Sequence, residues 1–408
     1  MIKQNTSLAN PSRIKELELP GRAGVNSARQ ADLNLLKIAP KGFLDATHFD
    51  TVRFPPPPWA LKVFNEAANN GDYAYSPYRG NKDVLETLAG SLTRFMDTEI
   101  SIQNIILAPG TQAGLFIALS AIAEQGTRVA LMSPDYLFSA RILRFLGADI
   151  GYIPIHESSI SPTPDLTALE DEFTKGTRIL VFSNPNNPTG YVYSENQLNL
   201  IAGLVNKYDV TVVIDSLYSR LLHNNQTYTH LASLPGMQER VITLLGPSKT
   251  ESLSGYRLGV VIGPVDLMPR LENVLSVIAL RAPGYSQHLL SHWLTKDEDW
   301  INGLLKTFTN LREMTIKSFR KLPWLKIEPQ GGTAYAWPDV SALGMPDEEV
   351  AKYLLKDASV LVSPGYQFGV QEQGHFRVCY ARDENQWSNA LDRIAAVLHD
   401  LALKKGID

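Results

Sequence analysis

Short apolar runs recur along the first three quarters of the chain: Ile105-Ile106-Leu107, Val129-Ala130-Leu131-Met132, Ile179-Leu180-Val181-Phe182, Val210-Thr211-Val212-Val213-Ile214, Val241-Ile242-Thr243-Leu244-Leu245 and Gly259-Val260-Val261-Ile262. They are apolar throughout instead of alternating, and helical spacing fills the gaps between them. That pattern suits strands of a mostly parallel sheet covered by helices on both faces. It predicts a large α/β domain over 60-300, entered through the stiff Phe54-Pro55-Pro56-Pro57-Pro58 segment.

Beyond residue 300 the pattern changes. Trp300 to Leu322 reads as one long helix, and Leu325 to Pro338 as strands joined at Gln330-Gly331-Gly332. Helical spacing returns over Asp347 to Asp357 and Asn385 to Leu403, with Val360-Leu361-Val362 and His375 to Tyr380 between them as strands. A smaller α+β domain over 301-408 is expected, with the N-terminal segment 1-59 folding onto it.

The bulk numbers agree with two domains. At 408 residues and 44 % hydrophobic content the chain exceeds what one core usually organises. Its 38 basic and 42 acidic side chains leave a formal charge of −4, with no long basic run to clamp a nucleic-acid backbone. No apolar stretch is long enough for a membrane span, and Met1-Ile2-Lys3-Gln4-Asn5-Thr6-Ser7 does not open like an export signal. The lone Cys379 implies neither an internal disulfide nor a metal site, so no metal and a cytoplasmic location are expected.

In open α/β sheets ligands collect at the carboxyl ends of the strands, so the residues after each apolar run carry the chemistry. Gly110-Thr111-Gln112 follows the first run and opens a helix; it is either a plain capped turn or an amide cradle for phosphate. Tyr136, after the second run, is either core packing or a ring able to stack on a planar cofactor. Asn184-Pro185-Asn186-Asn187-Pro188-Thr189-Gly190 is the most particular string, with prolines fixing the backbone around an amide able to donate to a ring oxygen. In Asp215-Ser216-Leu217-Tyr218 a carboxylate and a phenol follow a strand, as a helix cap or as partners of a pyridine nitrogen and its ring hydroxyl. Gly246-Pro247-Ser248-Lys249 supplies an amine that can form an imine, and Arg257 a planar guanidinium for a phosphate.

Taken in order, this series resembles the fold-type I pyridoxal-5′-phosphate (PLP) enzymes, specifically the class I/II aminotransferases that include aspartate aminotransferase. The resemblance runs from about Asp45 to the C-terminus. It implies that Lys249 holds the cofactor as a Schiff base and moves the proton, that Asp215 pairs with the ring nitrogen, and that Asn187 and Tyr218 bond the ring hydroxyl. It further implies that Tyr136 stacks on the ring and that Gly110, Thr111, Gln112, Ser248 and Arg257 hold the phosphate. Tyr75-Ser76-Pro77-Tyr78-Arg79-Gly80 matches a motif whose tyrosine, Tyr75, reaches the neighbouring subunit's phosphate, which implies a homodimer with shared active sites. Arg377 would grip the substrate α-carboxylate, Asn187 would also contact the substrate, and Arg281 lies near the place of a side-chain arginine in dicarboxylate-specific relatives. The implied reaction moves an amino group between an amino acid and a 2-oxo acid; β-elimination, decarboxylation and oxidation of an amino acid are the alternatives that the same cofactor allows.

Three departures stand out. Gly246 replaces a serine three residues before the lysine, and Ser216 replaces an acidic residue. The usual N-terminal glycine-rich motif is replaced by Asp45 to Phe54, which puts His48 or Asp50 either in the substrate pocket or on the surface.

Overall fold

The computed structural model describes residues 12–17, 34–49, 53–156, 162–369 and 374–407. Its centre is an eight-stranded sheet. In chain order the strands are β2 (Ile105–Ala108), β3 (Arg128–Ser133), β4 (Asp149–His156), β5 (Thr163–Pro164), β6 (Ile179–Ser183), β7 (Thr211–Asp215), β8 (Val241–Leu245) and β9 (Gly259–Ile262); β1 (Leu44–Asp45) lies elsewhere. Across the sheet the order is β2-β9-β8-β7-β6-β3-β4-β5. The inner strands β4, β3, β6, β7 and β8 are mutually parallel, while β9 runs antiparallel to both its neighbours.

The uniformly apolar runs have a direct explanation here. Alternate residues of one strand feed two different cores. Leu180 and Phe182 join one cluster and Ile179 and Val181 the other; Val212 and Ile214 are likewise separated from Val213. Helices Lys82–Met96 and Glu195–Tyr208 cover the first face through Leu88, Leu92, Ile201 and Val205. Helices Thr111–Ile122 and Met268–Ile278 cover the second through Leu115, Leu119, Leu271 and Leu275. Each such fully buried side chain is worth about 1.5–3 kcal/mol of apolar transfer. The α/β class and the mostly parallel sheet expected from the sequence are what the structure contains.

A further core forms around Phe308, Phe319, Phe376, Trp387 and Ile394. Its sheet is β10 (Tyr335–Ala336), β13 (Phe376–Cys379) and β12 (Ser363–Pro364), flanked by helices Glu298–Phe319, Asp347–Asp357 and Glu384–Lys405. The segment around Leu44 joins this region: β1 pairs in parallel with β11 (Val360–Leu361), and Ala46 and Phe49 enter the core.

Two local expectations need correction. Leu325 to Pro338 is not a regular hairpin at Gly331-Gly332: its arms meet only in an isolated antiparallel bridge between Lys326 and Asp339, and its named strand is β10, Tyr335–Ala336, alone. The amides of Gly331 and Gly332 donate to the Gly190 carbonyl, and that of Thr333 to Leu221, so the tip of this turn bonds two neighbouring loops. Strand β4 is not legible in the sequence, because Pro154 and its half-exposed face hide the apolar pattern.

Inside the first core sits an unusual polar ring. His230 is buried edge-on to Phe95 and Tyr228, and neither of its nitrogens has a hydrogen-bond partner. Burial pushes its pKa down to about 3, so the ring is neutral in the folded chain and must charge on unfolding below its ordinary value of 6.5. Stability attributable to this group is present above that value and is lost as pH falls below it. His230→Phe is therefore expected to raise the thermal midpoint relative to wild type, and the advantage should widen from pH 7 to pH 5, where it reaches about 2 kcal/mol. A pH-independent difference between the two melting curves would show that the imidazole finds a partner.

Candidate active site

One pocket lies at the carboxyl edge of the large sheet. It is lined by Thr111, Gln112, Tyr136, Asn187, Asp215, Tyr218, Lys249 and Arg377, with Leu115, Leu137, Phe138 and Leu217 as apolar wall, and Tyr335 and His48 from outside the sheet. The carboxyl ends of β2, β3, β6, β7 and β8 thus deliver their loops to one place.

Local chemistry explains how each side chain is held. Asp215 ends β7, and its carboxylate accepts the Leu217 amide at 3.0 Å. Burial pushes its pKa up to about 6 against that bond. A carboxylate so poorly solvated is suited to a cationic partner, such as a protonated ring nitrogen. Tyr136 donates to Gln112 at 3.0 Å, which fixes the ring over the pocket. Behind it, the carboxyl of Asp135 accepts from the Tyr136 amide at 2.6 Å, the Ser183 amide at 2.8 Å and the Asn186 side chain at 3.2 Å. Asp135 therefore stitches the Tyr136 turn to the Asn187 loop; burial pushes it up to about 7 against the donors from Ser183 and Tyr136.

Asn187 accepts from Arg377 at 2.8 Å. A guanidinium only donates, so the amide oxygen must face it and the NH2 group remains a donor for the pocket. Arg377 also donates to the Thr47 carbonyl and lies over the rings of Tyr335 and Phe368 at 4.2 and 4.6 Å. Its Nε is buried with no partner, a donor left for an incoming carboxylate. Tyr218 donates to Tyr335 at 3.1 Å, and burial raises both its pKa and its cost of ionising.

The residues fit a phosphorylated pyridine aldehyde. The hydroxyl of Thr111, at the start of helix Thr111–Ile122, is buried without a partner. Lys249 is half-buried and its amine makes no hydrogen bond among the described residues. Arg257 reaches to the same turn, donating to the Pro109 carbonyl at 3.3 Å beside Gly110. When PLP is bound it supplies an electron sink conjugated to the substrate Cα.

Of the residues singled out in the sequence, Thr111, Gln112, Tyr136, Asn187, Asp215, Tyr218, Lys249 and Arg377 line this pocket. Gly110 and Arg257 adjoin it at the helix start, and Ser248 is buried with its hydroxyl on the Leu258 carbonyl at 3.3 Å. Tyr75 and Arg281 do not line it. Tyr75 is 83 % exposed, and Arg281 lies between the rings of Tyr75 and Tyr78 at 4.7 and 4.5 Å. His48 lines the mouth, whereas Asp50 falls outside the described residues. Sequence reasoning missed Asp135, Tyr335 and the apolar wall. Asp135 had a signal, an acidic residue directly before Tyr136; Tyr335 and the leucines had none beyond ordinary core spacing.

The departures are absorbed locally. A Cβ on Gly246 would meet the Thr111 hydroxyl at 2.9 Å, so glycine there makes room for the threonine. The Ser216 hydroxyl is bridged by Tyr228, which also reaches the Asn184 carbonyl at 2.7 Å.

The Lys249 turn is fastened from below. Glu251, fully buried, accepts from Thr250 and Arg220, and Arg220 also makes a two-pronged bond to Asp297 at 2.8 and 3.0 Å. Burial pushes Glu251 up to about 7 against the pull of Arg220. Arg220→Ala would strand two buried carboxyls and should cost on the order of 3 kcal/mol of stability. Adding Glu251→Gln and Asp297→Asn should restore much of the thermal midpoint; a single variant as stable as wild type would remove the triad from the account.

An open, mostly parallel sheet with a lysine, an aspartate and a tyrosine at its strand ends defines a fold-type I PLP enzyme. The chain belongs to the family described as aminotransferase class I and II, whose sequence profile matches residues 47–394. It is 25 % identical over 347 residues to an aspartate aminotransferase of Pyrococcus horikoshii, covering 85 % of this chain and 88 % of that one. It is also 26 % identical to the human kynurenine–oxoglutarate transaminase 1, covering 81 % and 87 %. The crystal structure of an aspartate aminotransferase from Rhodobacter sphaeroides superimposes with a TM-score of 0.85 at 32 % identity, covering 89 % of this chain and 93 % of that chain. The protein is accordingly a PLP-dependent aminotransferase, acting on amino-acid and 2-oxo-acid substrates.

Proposed function

We propose that Lys249 is the residue that carries the cofactor and transfers the proton at the substrate Cα, with Asp215 as the partner of the ring nitrogen. The observation that carries this reading is the convergence of Lys249, Asp215, Tyr136, Asn187 and Arg377 on one pocket. In it, Gly110, Thr111, Gln112, Ser248 and Arg257 hold the phosphate, and Asn187 and Tyr218 address the ring hydroxyl. Arg377 receives the α-carboxylate on its unengaged Nε side, and Lys249, on the same pocket, serves the proton at Cα. The purified protein should show a cofactor band that selected amino acids bleach in the absence of any acceptor and that a 2-oxo acid restores. Lys249→Ala should lose both responses. A wild-type band that releases ammonia from a single substrate, or consumes oxygen, would favour elimination or oxidation over transfer.

The reading extends to assembly. Residues 60-300 act as the cofactor domain and 301-408, with the N-terminal segment, as the domain that closes on substrate. The work is done by a homodimer in the cytoplasm, with no nucleic-acid partner; among the described residues no helix is long and apolar enough to cross a membrane. Exposed Tyr73, Tyr75, Val277 and Ile278 around Arg281 give that face the aromatic and apolar character of an interface. Across it the partner subunit's Tyr75 completes the phosphate site, and Arg281 reaches a substrate's second carboxylate. Arg281→Ala should then lower kcat/KM for aspartate or glutamate by about 100-fold, the loss expected for a desolvated charge pair, and spare neutral donors. Unchanged dicarboxylate kinetics would remove Arg281 from substrate binding.

A further inference from the structure

The replaced N-terminal motif brings an imidazole to the pocket. His48 lines the same cavity as Lys249 and Arg377. Its segment is not a loose flap. The Thr47 carbonyl accepts from Arg377, and the Asp45 and His48 carbonyls accept from Arg382, which is itself buried. The backbone that carries His48 is therefore clamped by the arginine that receives the substrate carboxylate.

The side chain is 64 % exposed at the edge of the pocket, and it is oriented there, with Nδ1 3.6 Å from the Asp45 carboxylate. The Asp45 carboxylate accepts the Thr47 amide at 2.9 Å and the Thr47 hydroxyl at 2.6 Å. Since that hydroxyl spends its proton on Asp45, it can only accept from His48 Nδ1, which lies 3.1 Å away. The relay fixes the tautomer with the proton on Nδ1 and leaves Nε2 as a bare acceptor, with no hydrogen bond among the described residues. Burial, countered by Asp45 and reinforced by Arg382, Lys249 and Arg377, holds the pKa of the ring below its ordinary value, so the acceptor persists at neutral pH.

We propose that His48 is a substrate-contacting residue whose Nε2 accepts a hydrogen bond from an N–H or O–H donor on the substrate's side chain, so that the pocket selects amino acids carrying such a donor. Lys249 serves the Cα proton and Arg377 the carboxylate, which leaves the side chain as the part of the substrate that His48 meets. The inference rests on the proposed roles of those two residues.

The test uses side-chain pairs of similar size that differ in the donor: homoserine against norvaline, asparagine against leucine, and lysine against norleucine. Two readouts are taken on holoenzyme, the rate of cofactor-band bleaching and, in the Lys249→Ala background that cannot turn over, the dissociation constant by calorimetry. With His48 present, both readouts should favour the donor-bearing member of at least one pair about tenfold, the discrimination expected from one hydrogen bond that substrate binding covers. His48→Phe should bring the ratio to within about twofold while leaving the apolar member nearly unchanged, and Thr47→Val, which frees the tautomer, should lose about threefold. A ratio that His48→Phe leaves intact, or the lack of any donor preference in wild type, overturns the proposal while the transaminase reading stands. A cofactor band that responds to no amino acid overturns the transaminase reading first, and this inference with it.

Discussion

A buried guanidinium has to find acceptors for its N–H groups, and much of this active site is arranged around that demand at Arg377. Its acceptors lie far apart in sequence: the Asn187 side chain, 190 residues away, and the Thr47 carbonyl, 330 residues away. The rings of Tyr335 and Phe368 cover its faces. One side chain thereby joins the sheet's loop, the N-terminal segment and the smaller core. Replacing it would unfasten three segments together, so its architectural role cannot be separated from the binding role proposed for it by removing the residue alone.

The opposite wall depends on close backbone approach instead. Gly110 has φ of +97°, in a region that favours glycine, and leads directly into helix Thr111–Ile122. Gly259, at the start of the adjacent β9, lies so near that a Cβ there would come within 2.5 Å of the Gly110 carbonyl carbon. Together with Gly246 these positions let two strand ends and a helix N-terminus share one small volume, where the Thr111 hydroxyl stays unpaired. The same economy of space means that a side chain at 246 would press on the Thr111 hydroxyl, which a Cβ there would meet at 2.9 Å.

Most of the large sheet was legible because its strands are buried on both sides, which makes them apolar without interruption. That logic found β2, β3 and β6 to β9, and the turns after them named most of the pocket. It failed where burial is one-sided, as in β4, and where a segment's hydrogen bonds go to a distant loop, as at Gly331-Gly332. Periodicity reports how a residue sits on its own element. It is silent about partners such as Asp297 for Arg220, because long-range pairing leaves no spacing to read.

His48 shows the same limit from the other direction. Its neighbours in sequence, Asp45 and Thr47, decide the tautomer, and that much is local chemistry visible in four consecutive residues. The ring stands at the pocket's exposed edge, and its backbone is held there by Arg377 and Arg382, more than 300 positions away, which capture the carbonyls on either side of it. A glycine-rich motif would bring only backbone to this point. The side chain placed here adds an acceptor to a site already furnished with two cations, and an acceptor among cations is a means of choosing what the substrate carries.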